Sequence, residues 1–332
     1  MGSRGMTRST LRATALALAV VVLTSCGSGG DVDLDAAWRT STDPVDTSGL
    51  VWANGSTVHL PDDVTVDTGE PVRAFLPAGD GVFFVPEDEV EPDRPFTDAP
   101  LWFVAPGGGS EDTGLTVDER GGVAVSPDGR FLVVLDADYD EGSATMRIFD
   151  LDTGEAIESE DGMDTSGIDD PVDHLLESEV EILAITDEEV TARVIEGDVT
   201  YDLATGEGTE ADDSAGVVDP LVSPDGAWRI DESVALRELL VSESGEQVVP
   251  DAGTERWGLT TWVDATTVLG YAVAGPGEGG EVGPDNILTM ITCTVPDGAC
   301  TQVEGTTDQR LLLPLGTRPT YELNLTTPEA GS

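Results

Sequence analysis

Short runs of apolar and β-branched residues, separated by Gly, Asp and Pro, dominate the chain from residue 49 onward. No stretch of helical length there shows the 3.6-residue apolar period of an amphipathic helix. Runs such as Phe131–Leu135 are bounded by turn-forming residues on both sides, which is typical of β-strands. The pattern predicts an all-β domain, and its regular short strands favour a sandwich, a barrel or a propeller.

Two turn motifs recur within this strand-rich region. Val125-Ser-Pro-Asp-Gly129 recurs as Val222-Ser-Pro-Asp-Gly226, and Phe149-Asp-Leu-Asp-Thr-Gly-Glu155 resembles Tyr201-Asp-Leu-Ala-Thr-Gly-Glu207. In such turns proline sets φ, aspartate hydrogen-bonds to the backbone and glycine adopts positive φ. We therefore assign structural turn roles to Pro127, Asp128, Gly129, Gly154, Gly206, Pro224, Asp225 and Gly226.

The stretch that carries both motifs resembles a known repeat. Ser126–Val134 followed by Met146–Gly154 is similar to the WD-like repeat of TolB-type β-propellers. The resemblance implies four-stranded antiparallel sheets, in which the Ser-Pro-Asp-Gly turn joins strands A and B and the Thr-Gly turn joins strands C and D. The Trp-Asp and Gly-His pairs of true WD repeats are absent from the sequence. The motif residues of the family are turns, so the resemblance implies no catalytic residue.

The turn glycines recur at irregular but similar spacing, which is the pattern of a repeated unit with loop insertions. We predict an all-β propeller domain over residues 49–326 with six blades, seven being the alternative, and a disordered tail over 327–332. A C-terminal segment, 310–315 or 321–325, is expected to pair with the first blade and close the ring. The predicted blades span residues 49–72, 73–119, 121–160, 176–210, 217–250 and 257–304.

The first residues have the features of an export signal. Three arginines precede an apolar run over residues 13–23, which is too short to span a bilayer. The run ends in Leu23-Thr-Ser-Cys26, which resembles the lipobox of bacterial lipoproteins. The resemblance implies a signal peptide over 1–25, a diacylglyceryl group on Cys26, and attachment to the extracytoplasmic face of the cell membrane. An ordinary secretory peptide is the alternative, and residues 26–48, rich in Gly, Ser, Asp and Thr, are predicted to be a flexible tether.

The amino-acid composition excludes several kinds of partner and of catalytic or metal site. The 332 residues include 66 Asp and Glu against 15 Lys and Arg, which gives a net charge of −51, and every basic residue is Arg. The charge argues against nucleic acid as a partner, and the lack of Lys excludes a lysine nucleophile or a phosphate-loop lysine. With 2 His in the chain, multi-histidine metal sites are excluded as well.

Two cysteines remain besides Cys26. Cys293 and Cys300 flank the turn-forming Pro296-Asp-Gly298, so they are expected to face each other across a hairpin. Disulfides persist in exported proteins. We predict a Cys293–Cys300 disulfide, with free thiols as the alternative.

The long segments between predicted strands lie opposite the short glycine turns and are acidic. They predict a negative loop face that would attract a cation, or a basic protein or small ligand; solvated acidic loops are the alternative. In one loop, Asp136, Asp138 and Asp140 alternate as calcium ligands do, although Glu141 and Arg147 depart from the EF-hand pattern. We treat these aspartates as a candidate Ca²⁺ site and expect no other cofactor. The acidic loops are 86–99, 136–142, 155–175, 207–219 and 274–285.

The sequence contains neither a Gly-x-Ser-x-Gly motif nor a His-Glu-x-x-His motif. We therefore expect a non-catalytic binding or scaffold module, tethered to the cell membrane through Cys26. The alternative is a cation-dependent propeller hydrolase or lactonase with a carboxylate-lined site, for which the acidic loops are the support.

Overall fold

The computed structural model describes most of the chain from Ala37 onward. The described residues are 37–87, 98–118, 121–139, 142–178, 180–211, 219–277, 282–317 and 322–326. The helical elements in these ranges are short: two 3₁₀ turns, Ala37–Arg39 and Pro61–Asp63, and one helix, α1 (Pro171–Glu177). No helix within them is long and apolar enough to cross a membrane.

Six antiparallel sheets, named A to F in chain order, make up the described domain. Sheet A contains β1 (Trp52–Asn54), β2 (Thr57–His59), β3 (Thr65–Asp67), β23 (Arg310–Leu312) and β24 (Glu322–Asn324). Sheet B contains β4 (Val72–Ala78), β5 (Gly81–Pro86), β6 (Asp98–Val104) and β7 (Glu111–Asp118). Sheet C contains β8 (Val123–Val125), β9 (Phe131–Asp138), β10 (Ser143–Asp150) and β11 (Glu155–Ser159).

The second half of the domain continues this pattern. Sheet D contains β12 (Glu181–Ile185), β13 (Glu189–Val194), β14 (Gly197–Asp202) and β15 (Gly208–Glu210). Sheet E contains β16 (Trp228–Asp231), β17 (Leu239–Ser242) and β18 (Gln247–Val248), and Val222 adds an isolated bridge to Arg229. Sheet F contains β19 (Arg256–Trp262), β20 (Thr267–Ala274), β21 (Ile287–Thr294) and β22 (Cys300–Gln302).

In sheets B to F, strands that follow one another along the chain are neighbours in the sheet. Strands β1 to β22 fall within the predicted blade ranges to within one residue, and β23 and β24 lie after the last range. Strands within one sheet differ in burial: all six residues of β5 are buried, whereas β7, an edge strand, alternates between buried and exposed positions. The predicted all-β propeller fold is confirmed.

Apolar clusters hold neighbouring sheets together. Separate clusters lie between sheets A and B, B and C, C and D, E and F, and F and A, and they include Phe75, Phe83, Met146, Leu240 and Met290. Among the described residues no such cluster joins sheets D and E, and the connecting residues 212–218 lie outside the described ranges.

The C-terminal strands complete the first sheet. Leu312 of β23 pairs with Ala53 of β1, and β24 pairs with the other edge of β23. The prediction that a C-terminal segment joins the first blade is confirmed, and both candidate segments do so. The predicted tail over 327–332 lies outside the described residues, as does the predicted signal peptide.

The repeated turns are built alike. In the first, the Ser126 hydroxyl donates to Asp128 (2.5 Å) and accepts from the Phe131 N–H (2.9 Å). The second repeats both contacts, since the Ser223 hydroxyl donates to Asp225 (2.7 Å) and accepts from the Trp228 N–H (2.9 Å). These contacts agree with a structural role for the motif residues.

Turns of neighbouring sheets lie side by side. Arg130 in the first turn of sheet C forms an ion pair with Asp150 in the last turn of that sheet (2.7 Å). The Gly79 N–H of sheet B donates to Gly129 O of sheet C (3.0 Å), and the Asp128 N–H donates to Asp187 of sheet D (2.9 Å). We call this side of the domain the turn face.

The residues before β1 lie across the turn face, on sheets B and C. Trp38 is 2% exposed, with its ring 5.8 Å from Phe83 and 5.4 Å from Phe149. The Asp80 carboxylate accepts backbone hydrogen bonds from Thr42 and Asp43, each 2.7 Å long. Burial acts to raise the pKa of Asp80, but the hydrogen bonds from this segment outweigh burial and lower it. We call residues 37–48 the strap.

The strap corrects the predicted domain boundary. A flexible tether was expected over residues 26–48, but the part from residue 37 packs against the sheets. The Gly/Ser-rich composition that indicates a tether is confined to the residues around 27–31. Farther along, the large apolar surface of Trp38 drives burial. Residues 26–36 lie outside the described residues.

Candidate ligand cavity

A cavity lies between the first strands of several sheets. Its volume is about 630 Å³, and its walls come from β8, β12, the end of β19, the segment before β16, and residues 315–317. The apolar lining includes Val123, Val125, Ile182, Ala184, Trp262 and Leu315. The polar lining includes Asp219, Ser223, Thr261 and Thr317.

The strands that line the cavity end their sheets. β8 is the terminal strand of sheet C, and β12 is the terminal strand of sheet D. Successive side chains of β8 pack into different interfaces, since Val123 belongs to the core between sheets B and C and Ala124 to the core between sheets C and D. Both neighbouring cores therefore hold this wall in place.

Trp262 links two walls of the cavity. Its indole N–H donates to Leu221 O at 3.2 Å, which ties sheet F to the segment before β16. Trp262, Val125 and Leu315 also line an adjoining cavity of about 210 Å³. Leu315 is fixed in turn, because its N–H donates to Phe75 O of β4 (2.9 Å). The two cavities therefore share a wall that is anchored to sheets B and E.

The cavity carries one charged side chain among its lining residues, Asp219. The Asp219 carboxylate accepts the Leu221 N–H at 3.0 Å. The cavity therefore combines apolar walls, one aromatic ring and one negative charge. Sequence reasoning placed binding on the acidic loops and missed this cavity, because the residues that form it are scattered over the chain and most are apolar.

The described residues do not assemble the candidate calcium site. The Asp136 carboxylate pairs with Arg147 at 3.1 Å, and Asp138 ends β9. Asp140 lies outside the described residues. No group of three His, Cys, Asp or Glu side chains that could hold a metal ion occurs in the part of the chain that the structure covers. The Ca²⁺ site stays a prediction.

Acidic residues are not confined to the long loops. Asp150 and Asp202, in matching turns on the turn face, accept backbone N–H groups of the residues that follow them. The hydrogen bond from Arg130 lowers the pKa of Asp150. Part of the negative charge of the chain therefore stabilises turns and lies outside the predicted acidic loop face.

The predicted disulfide is present. Cys293 and Cys300 occupy paired positions of β21 and β22, with their Cα atoms 4.0 Å apart, and are bonded. Cys26, the predicted lipidation site, lies outside the described residues.

One buried carboxyl group was not predicted. Glu238 is 8% exposed; its Oε1 accepts the Leu236 N–H (2.9 Å), and its Oε2 is buried without a hydrogen-bond partner. Burial raises the pKa of Glu238, and the charge of Glu232 raises it further. Burial also raises the pKa of Tyr271, with the Glu238 charge contributing. Nothing in the sequence marks Glu238 among so many acidic residues.

No protein-family model and no curated protein sequence matches the chain. Among solved structures, TolB from Acinetobacter baumannii matches at 12% identity and a TM-score of 0.33, over 76% of this chain and 64% of TolB. The β-propeller domain of the Trilobed protease from Pyrococcus furiosus matches at 10% identity and a TM-score of 0.30, over 72% of this chain and 84% of that domain. The AtxE2 isopeptidase matches at 14% identity and a TM-score of 0.38, over 88% of this chain and 55% of the isopeptidase.

The chain thus spans less than two thirds of the length of TolB and of the isopeptidase. All three TM-scores are below 0.5, so these matches carry no inference about activity or partners. The fold assignment rests on the six sheets themselves.

Proposed function

We propose that this protein is a lipid-anchored, extracytoplasmic β-propeller that acts as a non-catalytic binding module, with its ligand site in the cavity between the sheets. The observation that carries the proposal is the cavity itself. Its volume of about 630 Å³ lies within the range of small-molecule sites. Such sites combine mostly apolar walls with a few polar groups, which is the composition of this lining.

The polar lining residues support binding more than catalysis. The Ser223 hydroxyl is engaged in the turn, since it donates to Asp225 and accepts from the Trp228 N–H. No His, Cys or Arg is among the residues that line the cavity. A serine nucleophile is commonly activated by an adjacent histidine, and the described lining contains no histidine.

The lipid anchor is supported by the lipobox-like Leu23-Thr-Ser-Cys26. Residues 27–37 separate Cys26 from Trp38, which is fixed on the turn face. These eleven residues reach at most about 40 Å when fully extended. An anchor at Cys26 would therefore keep the domain near the membrane. The point of attachment on the domain would be the strap, which lies on sheets B and C.

Two variants test the two parts of this proposal. Cys26→Ser is expected to release the protein from the membrane fraction, or to leave the leader uncleaved; unchanged fractionation and mass would contradict the anchor. Ala184→Leu is expected to fill part of the cavity and weaken ligand binding, whereas Glu196→Gln, an exposed position outside the lining, should leave binding unchanged.

The hydrolase alternative has a separate test. Thermal melts are measured in EDTA and in micromolar Ca²⁺. A calcium-dependent rise of several degrees would show the cation binding that this alternative requires, because a ligand that binds only the folded state stabilises it. Identical melts would remove the support for that alternative.

A further inference from the structure

The walls of the cavity select for an apolar ligand. Val125, Ala184 and Leu315 are partly exposed and line the cavity. Water against such side chains is released when an apolar body replaces it, which favours binding. The ligand therefore has a bulky apolar portion.

The charge of the cavity selects for a cation. Asp219 is the charged residue of the lining, and it belongs to a chain of net charge −51. A protein field of one sign raises the local concentration of oppositely charged ligands and repels ligands of the same sign. The potential in the cavity is therefore negative, while no lining residue supplies a positive charge for an anionic ligand.

Trp262 adds an aromatic surface to the same site. Its indole N–H is bound to Leu221 O, two residues from Asp219, so the ring and the carboxylate belong to one connected wall. Organic cations are attracted to the face of a tryptophan ring, more so when they are desolvated. Apolar side chains, an indole and a carboxylate therefore line one cavity.

We propose that the cavity binds a monovalent organic cation with a bulky apolar or aromatic body. This inference rests on the proposed function, because it specifies the ligand class of the same cavity. The affinity for the cation comes from burial of its apolar body, and its preference over an anion comes from Asp219 and the negative field.

Two ions of the same shape and opposite charge separate the contribution of apolar burial from that of charge. Tetraphenylphosphonium and tetraphenylborate have nearly the same shape and opposite charge. Each is titrated by calorimetry into the full chain carrying Cys26→Ser, without detergent. We expect the phosphonium ion to bind at least about tenfold more tightly than the borate ion, the lower end of what electrostatic attraction provides. Added salt should reduce this ratio.

Variants of lining residues test whether the phosphonium ion binds in the cavity. Asp219→Asn should weaken phosphonium binding about two- to fivefold, as expected for an exposed ion pair, and should leave the borate affinity unchanged or improve it. The control Glu196→Gln removes the same charge outside the cavity and should have no effect. Ala184→Trp should abolish phosphonium binding. Circular dichroism checks that this variant folds, and the smaller Ala184→Leu gives the same test if it does not.

Each outcome decides between the two proposals. Equal affinity for both ions, reduced by Ala184→Leu, would overturn the cation inference and leave the cavity as a binding site. If neither Ala184→Leu nor Asp219→Asn changes phosphonium binding, the ion adsorbs to the acidic surface. That result would overturn the inference that the cavity binds the cation. No binding of either ion to the folded protein would overturn the cation inference and the cavity as a site for ligands of this size.

Discussion

Replacing Trp38 by alanine tests whether the strap is part of the folded domain. Trp38 is 2% exposed and lies in the core between sheets B and C, edge-on to Phe83 and Phe149. The neighbouring Arg39 guanidinium lies 5.5 Å from the Trp38 ring centroid and 5.4 Å from that of Phe149. Removing the indole would leave a cavity between two sheets and loosen the strap.

The expected cost follows from these contacts. Truncation of a buried Trp or Phe to Ala lowers the free energy of unfolding by about 3–5 kcal/mol. The free energy of unfolding of a folded protein is about 5–15 kcal/mol in total, so this loss is a large fraction of the stability. The Trp38 Nε1 is buried without a hydrogen-bond partner. Trp38→Phe removes this unpaired donor and keeps a ring, so it should cost much less than Trp38→Ala.

Urea unfolding followed by circular dichroism measures the effect in the full chain carrying Cys26→Ser. Val249→Ala is the control, because Val249 is 62% exposed and such surface changes stay within about 0.5 kcal/mol. A Trp38→Ala variant as stable as the control would refute the packing of the strap and return residues 37–48 to the predicted tether.

Other predictions concern a carboxyl group, the disulfide and a turn. The pKa of Glu238 is raised by burial, so its stabilising contribution is present below its unfolded pKa of about 4.3 and is lost as pH rises through its folded pKa. The stability of Glu238→Gln relative to wild type should therefore increase with pH in denaturant titrations, and a pH-independent difference would contradict this. Replacing both Cys293 and Cys300 by Ser should lower stability by about 2–3 kcal/mol relative to the oxidised wild type, the loop-entropy value for a short loop, and reduced wild type should show the same loss. Gly226 has φ +73° with nothing within 4 Å of a Cβ placed there, so Gly226→Ala should cost about 1–2 kcal/mol from backbone strain alone, and Gly226→Asn should cost less.

The sequence was sufficient to predict the repeat. Proline, aspartate and glycine at fixed offsets determine local turn geometry, so the turns at Ser126 and Ser223 and the intervening strands were predictable from neighbouring residues alone. The Cys293–Cys300 pairing was predictable for the same reason, since the two cysteines are seven positions apart along the chain.

The cavity and the strap were not predictable in this way. Asp219, Trp262 and Leu315 are far apart in sequence, and they meet only because the sheets are arranged side by side. Trp38 contacts Phe83 and Phe149, which belong to different sheets. Features that depend on contacts between sheets leave no local pattern in the sequence. Among 66 Asp and Glu residues, the few with a special role cannot be distinguished by sequence alone.

A methyl NMR titration with tetraphenylphosphonium locates the ligand most directly. Ile182 and Leu315 line the cavity, whereas Ile287 is 53% exposed and outside its lining. Binding in the cavity predicts saturable shifts of the Ile182 and Leu315 methyl signals, with the Ile287 methyl signals unchanged. Shifts confined to Ile287 and other surface methyl groups, or no shifts at all, would contradict binding of the cation between the sheets.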